Sequence, residues 1–236
     1  MIQTRTFVTG TDTGVGKTFV ATALLVAARA RGMTTAALKP AETGCDRDAA
    51  GELVPADGLR LRAAAGADAL PIERVVPHRY ATPVAPALAA RLEGQPFSLE
   101  RTLAAAAFFS GADLLVVEGA GGLLVPFSDE HLAADVAAAL AAPLLIVARA
   151  TLGTINHSLL TVFEARRRGL AISAVVLNPL PTDDDPSLPY NAAEIARIGQ
   201  VRVLVMPSAI EALLQVQEEV ANERGVLAQD PAKAPR

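Results

Sequence analysis

Short apolar runs recur along this chain at 5–9, 34–40, 113–119, 144–148, 172–177 and 201–205, each bounded by Gly, Pro, Asn or a charged residue. Most are continuous rather than alternating, the pattern of strands covered on both faces. Helix-length segments lie between and beyond them, at 19–30, 56–65, 85–93, 99–110, 132–141, 155–168 and 209–221. Strands alternating with helices predict an α/β fold, a doubly wound and mostly parallel sheet with helices on both faces. The 236 residues suit one large domain, expected over 1–223, and the stretch 224–236 reads as a disordered tail.

In such sheets ligands sit beyond the carboxyl ends of the strands. At the first of these ends stands Gly10-Thr11-Asp12-Thr13-Gly14-Val15-Gly16-Lys17-Thr18, directly before the first helix. A loop of this kind turns backbone N–H groups and a helix N-terminus toward phosphates, with Lys17 reaching the β/γ oxygens and the Thr18 hydroxyl placed for Mg²⁺. The strict pattern wants Gly five places before Gly16, where this chain has Thr11, so the loop is one residue longer counted from Gly10. That spacing points to a deviant branch of the P-loop NTPase type and to an ATP-type triphosphate. Thr13, Gly14, Val15, Gly16, Lys17, Thr18 and Phe19 are the first nucleotide candidates.

The other strand ends give Lys39 to Gly44, Glu118 to Gly122, Arg149 to Asn156, Asn178-Pro179 and Met206-Pro207. Lys39 is either a second cation for a developing anion or a solvated strand-end lysine. Glu118 follows four apolar residues and precedes Gly119-Ala120-Gly121-Gly122, where a ligand can approach the backbone closely. An acid opposite a P-loop suits Mg²⁺, since hard cations take oxygen ligands; the alternative is a structural acid. Asp57 fits a helix N-terminus as well as it fits a site. His78 and His131 fall in loop-like segments without Cys, His or acidic neighbours at ligand spacing, which argues against zinc. Neither a Gly-x-Ser-x-Gly elbow nor a Cys/His nucleophile pair is visible.

Composition narrows the partners. The 51% hydrophobic content is rich in alanine and only 4% is aromatic, so the core is expected to be Val, Leu, Ile and Ala. With 21 basic and 25 acidic residues, the net charge of -4 offers no long-range attraction to nucleic acid or an anionic membrane. The run 136–148 contains Pro143 and is 13 residues long, short of the ~20 that span a bilayer. No signal peptide pattern precedes the first strand, and Cys45 has no partner cysteine, so a cytoplasmic setting is expected.

Four motifs together resemble the dethiobiotin synthetases. They are Gly-Thr-Asp-Thr-Gly-Val-Gly-Lys-Thr at 10–18, Lys-Pro-Ala-Glu-Thr-Gly at 39–44, Val-Glu-Gly-Ala-Gly-Gly-Leu-Leu-Val-Pro at 117–126 and Leu-Gly-Thr-Ile-Asn-His-Ser-Leu-Leu-Thr at 152–161. The resemblance spans roughly 5–210 and accounts for the longer loop. It implies an ATP-dependent cyclo-ligase in which CO₂ forms a carbamate on one amine of 7,8-diaminononanoate, ATP phosphorylates it, and the second amine closes the cyclic urea. By the same resemblance Lys17 and Lys39 are catalytic, and Thr18, Asp57 and Glu118 surround Mg²⁺. Thr11 and Thr43 would meet the diamine or carbamate. Gly153 and Asn156 would hold the substrate carboxylate from the partner subunit of a homodimer. Asn178, Pro179 and the Pro207 turn would lie near the adenine. Two departures stand out: Gly14 occupies a position often acidic in relatives, and Thr43 one where Ser is common.

Partitioning ATPases of the same branch are the alternative, but their signature lysine would fall at Asp12, and no basic or amphipathic terminal helix is evident. Cobalamin-type amide synthetases need a glutaminase domain for which the chain has no room.

Overall fold

The computed structural model describes residues 3–179, 184–217 and 219. β1 (Thr4–Gly10) runs into α1 (Lys17–Ala30), which returns to β2 (Thr35–Leu38). Three two-residue strands follow, β3 (Ala41–Glu42), β4 (Asp46–Arg47) and β5 (Leu53–Val54), then α2 (Ala56–Ala64), α3 (Ile72–Val75), β6 (His78–Arg79), α4 (Pro86–Glu93) and α5 (Leu99–Phe108). The second half alternates regularly through β7 (Leu114–Gly122), α6 (Ala133–Ala139), β8 (Leu144–Arg149), α7 (Thr154–Arg167), β9 (Ile172–Asn178), α8 (Leu188–Gly199) and β10 (Val203–Val205). A helical stretch covers 210–217.

Among the described residues six strands form one sheet in the order β10-β9-β8-β1-β7-β2, with every pairing parallel. The chain passes from β7 to β8 across β1, so the switch in strand order falls at β1 and the crevice opens above its carboxyl end. Successive residues of each strand serve opposite faces. Phe7, Leu115, Val117, Ile146 and Leu177 pack on one side with Ala106 of α5, Val136 of α6 and Val162 of α7. Val8, Val116, Leu145, Val147 and Val176 pack on the other with Val20, Leu24 and Leu25 of α1, Leu61 of α2, and Leu213 and Leu214. Burial on both faces is why these strands read as continuous apolar runs.

The expected strands and helices fall close to where their patterns put them, with instructive differences. β7 continues to Gly122, past the predicted end at 119, because its glycines run beside β1 as far as a Gly10–Gly122 pairing with an irregular register after Val8. α1 starts at Lys17 rather than Phe19, since the phosphate loop leads straight into its first turn. α8 is an element the sequence pattern did not predict. Pro186 and Pro189 bracket its start and read as breakers, although proline is favoured in a first helical turn. The short strands β3 to β6 carry too few residues for a period to show. His78 lies on β6 and is buried, not in a loop. The predicted tail at 224–236 and the far end of the 209–221 helix lie outside the described residues.

Candidate active site

Between β1 and α1 the loop depends on glycine at two positions. Gly14 has φ of 66° and Gly16 φ of 93°, the left-handed region that side chains disfavour. A Cβ on Gly16 would also stand 2.0 Å from Asn178 Nδ2. Asn178, at the carboxyl end of β9, uses that amide to donate to the Val15 carbonyl at 3.1 Å. Thus β9 clamps the loop from below, and Gly16 serves as N-cap of α1 without a side-chain cap, leaving the first N–H groups of the helix for a ligand.

Lys17 is buried and donates to the Asp12 carbonyl at 3.2 Å. Burial lowers its pKa from the ordinary lysine value, and attraction to Glu118 only partly offsets this. Lys39, at the end of β2, is 4% exposed. The solvated reading of Lys39 is therefore wrong: its Nζ sits 2.7 Å from Asp57 Oδ2 and 2.7 Å from Glu118 Oε1. The sequence hid this because the two acids lie 18 and 79 residues away along the chain. Burial works against the Lys39 charge, but attraction to Glu118 and then Asp57 outweighs it and raises its pKa above the usual lysine range. Asp57 lies in the first turn of α2. Burial would raise its pKa, yet the Lys39 charge and hydrogen bonds from Lys39 and Thr18 hold it below the ordinary carboxylate value. Asp57 thus stands in a helix start and at the same time lines the cavity beside Lys39.

Glu118 is 1% exposed and its Oε1 also accepts from the Thr18 hydroxyl at 2.9 Å. Its other oxygen, Oε2, is buried with no hydrogen-bond partner, a position that favours an added cation or donor. Two carboxylates and a hydroxyl are oxygen donors of the kind Mg²⁺ takes, usually with only one or two carboxylates and the remainder from phosphate and water. Among the described residues no group of three or more His, Cys, Asp or Glu is placed to hold a metal by itself.

These side chains line one cavity of about 430 Å³, together with Thr13, Gly14, Gly16, Phe19, Thr43, Gly119, Ala120 and Gly121. Pro179 follows Asn178 and is half-buried, and Pro207 is exposed beyond β10. Thr11 faces elsewhere. It lines a second cavity of about 430 Å³, bounded by Gly122 to Pro126 and by Leu160 and Thr161 of α7. Gly153 and Asn156 are exposed at the start of α7 and line neither cavity. The chain therefore gathers the phosphate, metal and lysine candidates but leaves Thr11, Gly153 and Asn156 on a neighbouring face. Two residues received no role from sequence. Glu42 lines the main cavity from β3, and Arg149 reaches to 3.9 Å from Asp12. Both lay in stretches marked as strand ends, Lys39 to Gly44 and Arg149 to Asn156, without a role of their own. Cys45 is buried and free, its thiol pushed up to about 11 chiefly by burial, as suits an inert position. His78 is held between the Pro40 carbonyl and the Ser98 N–H, a core histidine.

A central parallel strand, a glycine-bound phosphate loop at its end, a lysine opening the next helix and an acid on the adjacent strand define a P-loop nucleotide-binding α/β protein. A family model described as an AAA domain matches residues 4–219. A relative from Anaeromyxobacter dehalogenans strain 2CP-C, named ATP-dependent dethiobiotin synthetase BioD, is 54% identical over 193 residues, covering 81% of this chain and 84% of the relative. One of the same name from Cellvibrio japonicus is 41% identical, covering 86% and 91%. The chain belongs to the ATP-dependent dethiobiotin synthetase family. Among solved structures, the hydrogenase maturation factor HypB from Archaeoglobus fulgidus is similar at a TM-score of 0.51 and 12% identity, covering 93% of this chain and 90% of that one. A DUF1611 family protein from Anabaena variabilis is similar at 0.55 and 15% identity; it covers 93% of this chain, which spans 58% of that protein. At those identities the likeness concerns the fold.

Proposed function

We propose that the protein catalyses the Mg²⁺- and ATP-dependent carboxylation and ring closure of 7,8-diaminononanoate with CO₂ to give dethiobiotin. The observation that carries this reading is the buried Lys39 ammonium, held by two carboxylates and facing the phosphate loop. The loop N–H groups of Thr13 to Phe19 and the Lys17 ammonium hold the β/γ-phosphates. Asn178, Pro179 and Pro207 stand toward the base. Thr18, Asp57 and Glu118 would hold Mg²⁺, which when bound neutralises charge on the phosphates. The case for it is electrostatic: the cations at the cavity, Lys17, Lys39 and Arg60, are already matched by the carboxylates Glu42, Asp57 and Glu118, so a triphosphate adds negative charge to a cluster with no surplus cation.

In the reaction one substrate amine adds to CO₂ and loses a proton, giving a carbamate. A carbamate oxygen attacks the γ-phosphorus and ADP leaves. The second amine then attacks the carbamoyl carbon, and phosphate leaves as the cyclic urea closes. Lys39 stabilises negative charge on the carbamate and the transferring phosphoryl, and Gly119 to Gly121 present backbone close to it. Such a transfer needs chiefly positioning and fixed charge, which a buried cluster provides.

Thr43, from the cavity wall, and Thr11, from the adjoining face, contact the diamine or its carbamate. Gly153 and Asn156 complete the site from a second copy of the chain. Support for a homodimer comes from Leu124, Leu152, Leu160 and Phe163, which leave that face apolar at 50%, 82%, 61% and 49% exposure. No helix among the described residues is long and apolar enough to cross a membrane, and a cytoplasmic setting is part of the same reading. The test is ADP release by purified protein with ATP, Mg²⁺, bicarbonate and 7,8-diaminononanoate, each omitted in turn. Release should require every component. Release indifferent to the diamine would reject the synthetase reading and favour a switch ATPase.

A further inference from the structure

Glu42 is 6% exposed on β3. Its two carboxylate oxygens accept hydrogen bonds from successive backbone N–H groups, that of Asp57 at 2.9 Å and that of Gly58 at 2.8 Å. Those groups belong to the first turn of α2, where N–H groups have no partner within the helix. Pro55, at the N-cap, supplies no side-chain cap. A residue on a separate strand thus does the capping.

The same helix start is confined from the other side. A Cβ on Gly58 would lie 2.1 Å from Val76 Cγ2 and 3.3 Å from Glu42 Oε2. β3 is itself fixed by pairing with β6 and by the Tyr80 N–H, which donates to the Glu42 carbonyl at 2.9 Å. From this clamped turn the Asp57 carboxylate reaches out to Lys39. The contacts therefore run without a break from β3 through Glu42 to the backbone of Asp57 and then to the Lys39 ammonium.

We propose that Glu42 is a positioning residue for this site: its carboxylate holds the first turn of α2 so that Asp57 stands at the metal and against Lys39. This rests on the reading of the cavity as a Mg²⁺–nucleotide site. A cap that served only the helix would affect stability; a positioning role acts through Asp57 in particular.

The experiment measures Mn²⁺ affinity, as the paramagnetic substitute for Mg²⁺, by water-proton relaxation in the presence of a non-hydrolysable ATP analogue. It also measures analogue affinity without metal. Wild type, Glu42→Ala, Glu42→Gln, Asp57→Ala and the double alanine variant are compared. Loss of an outer-shell partner weakens metal binding by about 10–100-fold, so Glu42→Ala should lose about tenfold or more in Mn²⁺ affinity while metal-free analogue binding stays within about twofold. Glu42→Gln keeps one acceptor oxygen and should fall between; it carries the comparison if Glu42→Ala does not fold. Because Glu42 acts through Asp57, the double variant should bind Mn²⁺ no more weakly than Asp57→Ala alone. Mn²⁺ affinity of Glu42→Ala within twofold of wild type, an equal loss of metal-free analogue binding, or full additivity in the double variant would each overturn the proposal. An Asp57→Ala variant with unchanged Mn²⁺ affinity would instead overturn the metal reading itself, and the proposal with it.

Discussion

Lys39 shows how far one side chain's role depends on distant company. Its ammonium, itself buried, is matched at 2.7 Å by two carboxylates, the buried Glu118 and the partly exposed Asp57. Truncating it leaves Glu118 buried without its ion-pair partner, a change that costs about 3 kcal/mol or more. Lys39→Ala should therefore melt at a lower temperature, a loss read by calorimetry. Removing one preorganised donor to a developing charge slows turnover by roughly a hundredfold or more. Nucleotide affinity should hold, because Lys17 and the loop N–H groups are untouched; a titration in which ATP affinity falls in step with turnover would refute the role. At this scale the sequence marked residues that do line the cavity, Lys17 at the end of the loop and Lys39 and Glu118 at strand ends. It gave no role to Glu42, which holds two backbone N–H groups 15 and 16 residues away, and no sign of the burial of Lys39. Both depend on how separate segments converge, which no local pattern carries.

Among the elements, α2 is held close against the site at its first turn. Its Gly58 faces Val76 and Glu42 with no space for a methyl group. Gly58→Ala forces overpacking worth about 1–3 kcal/mol, and in a chain of this size each kcal/mol lowers the melting midpoint by about 2–4 °C. A midpoint unchanged within 1 °C would show that the helix start can shift freely. The long elements were legible because periodicity accumulates over a dozen residues. Those near the cavity were less so. β3 and β6 are two residues each, and their identity comes from pairing with each other rather than from their own residues. α8 was hidden for a different reason: prolines at its start resemble breakers until the turn they begin is known.

Across the whole molecule, the sheet places the phosphate loop at its centre and distributes the remaining candidates over neighbouring strands. Lys39 comes from β2, Glu118 from β7 and Asn178 from β9, on both sides of β1. This arrangement was foreseeable in kind, since alternating strands and helices imply a crevice above the carboxyl ends. The strand order and the separation of Thr11, Gly153 and Asn156 from the main cavity were not, because they depend on which strands become neighbours. The Asn178 amide closes on the Val15 carbonyl across 163 residues of chain, and that long span bears on the time course of folding. Contacts so far apart in sequence form late, after closing a large loop. The nucleotide loop, though encoded within the first eighteen residues, takes its final shape only when the fifth strand of the alternating series has docked. During refolding from denaturant, recovery of binding to a fluorescent ATP analogue should lag recovery of helical circular dichroism. Binding regained in step with the helical signal would mean that the loop matures without β9.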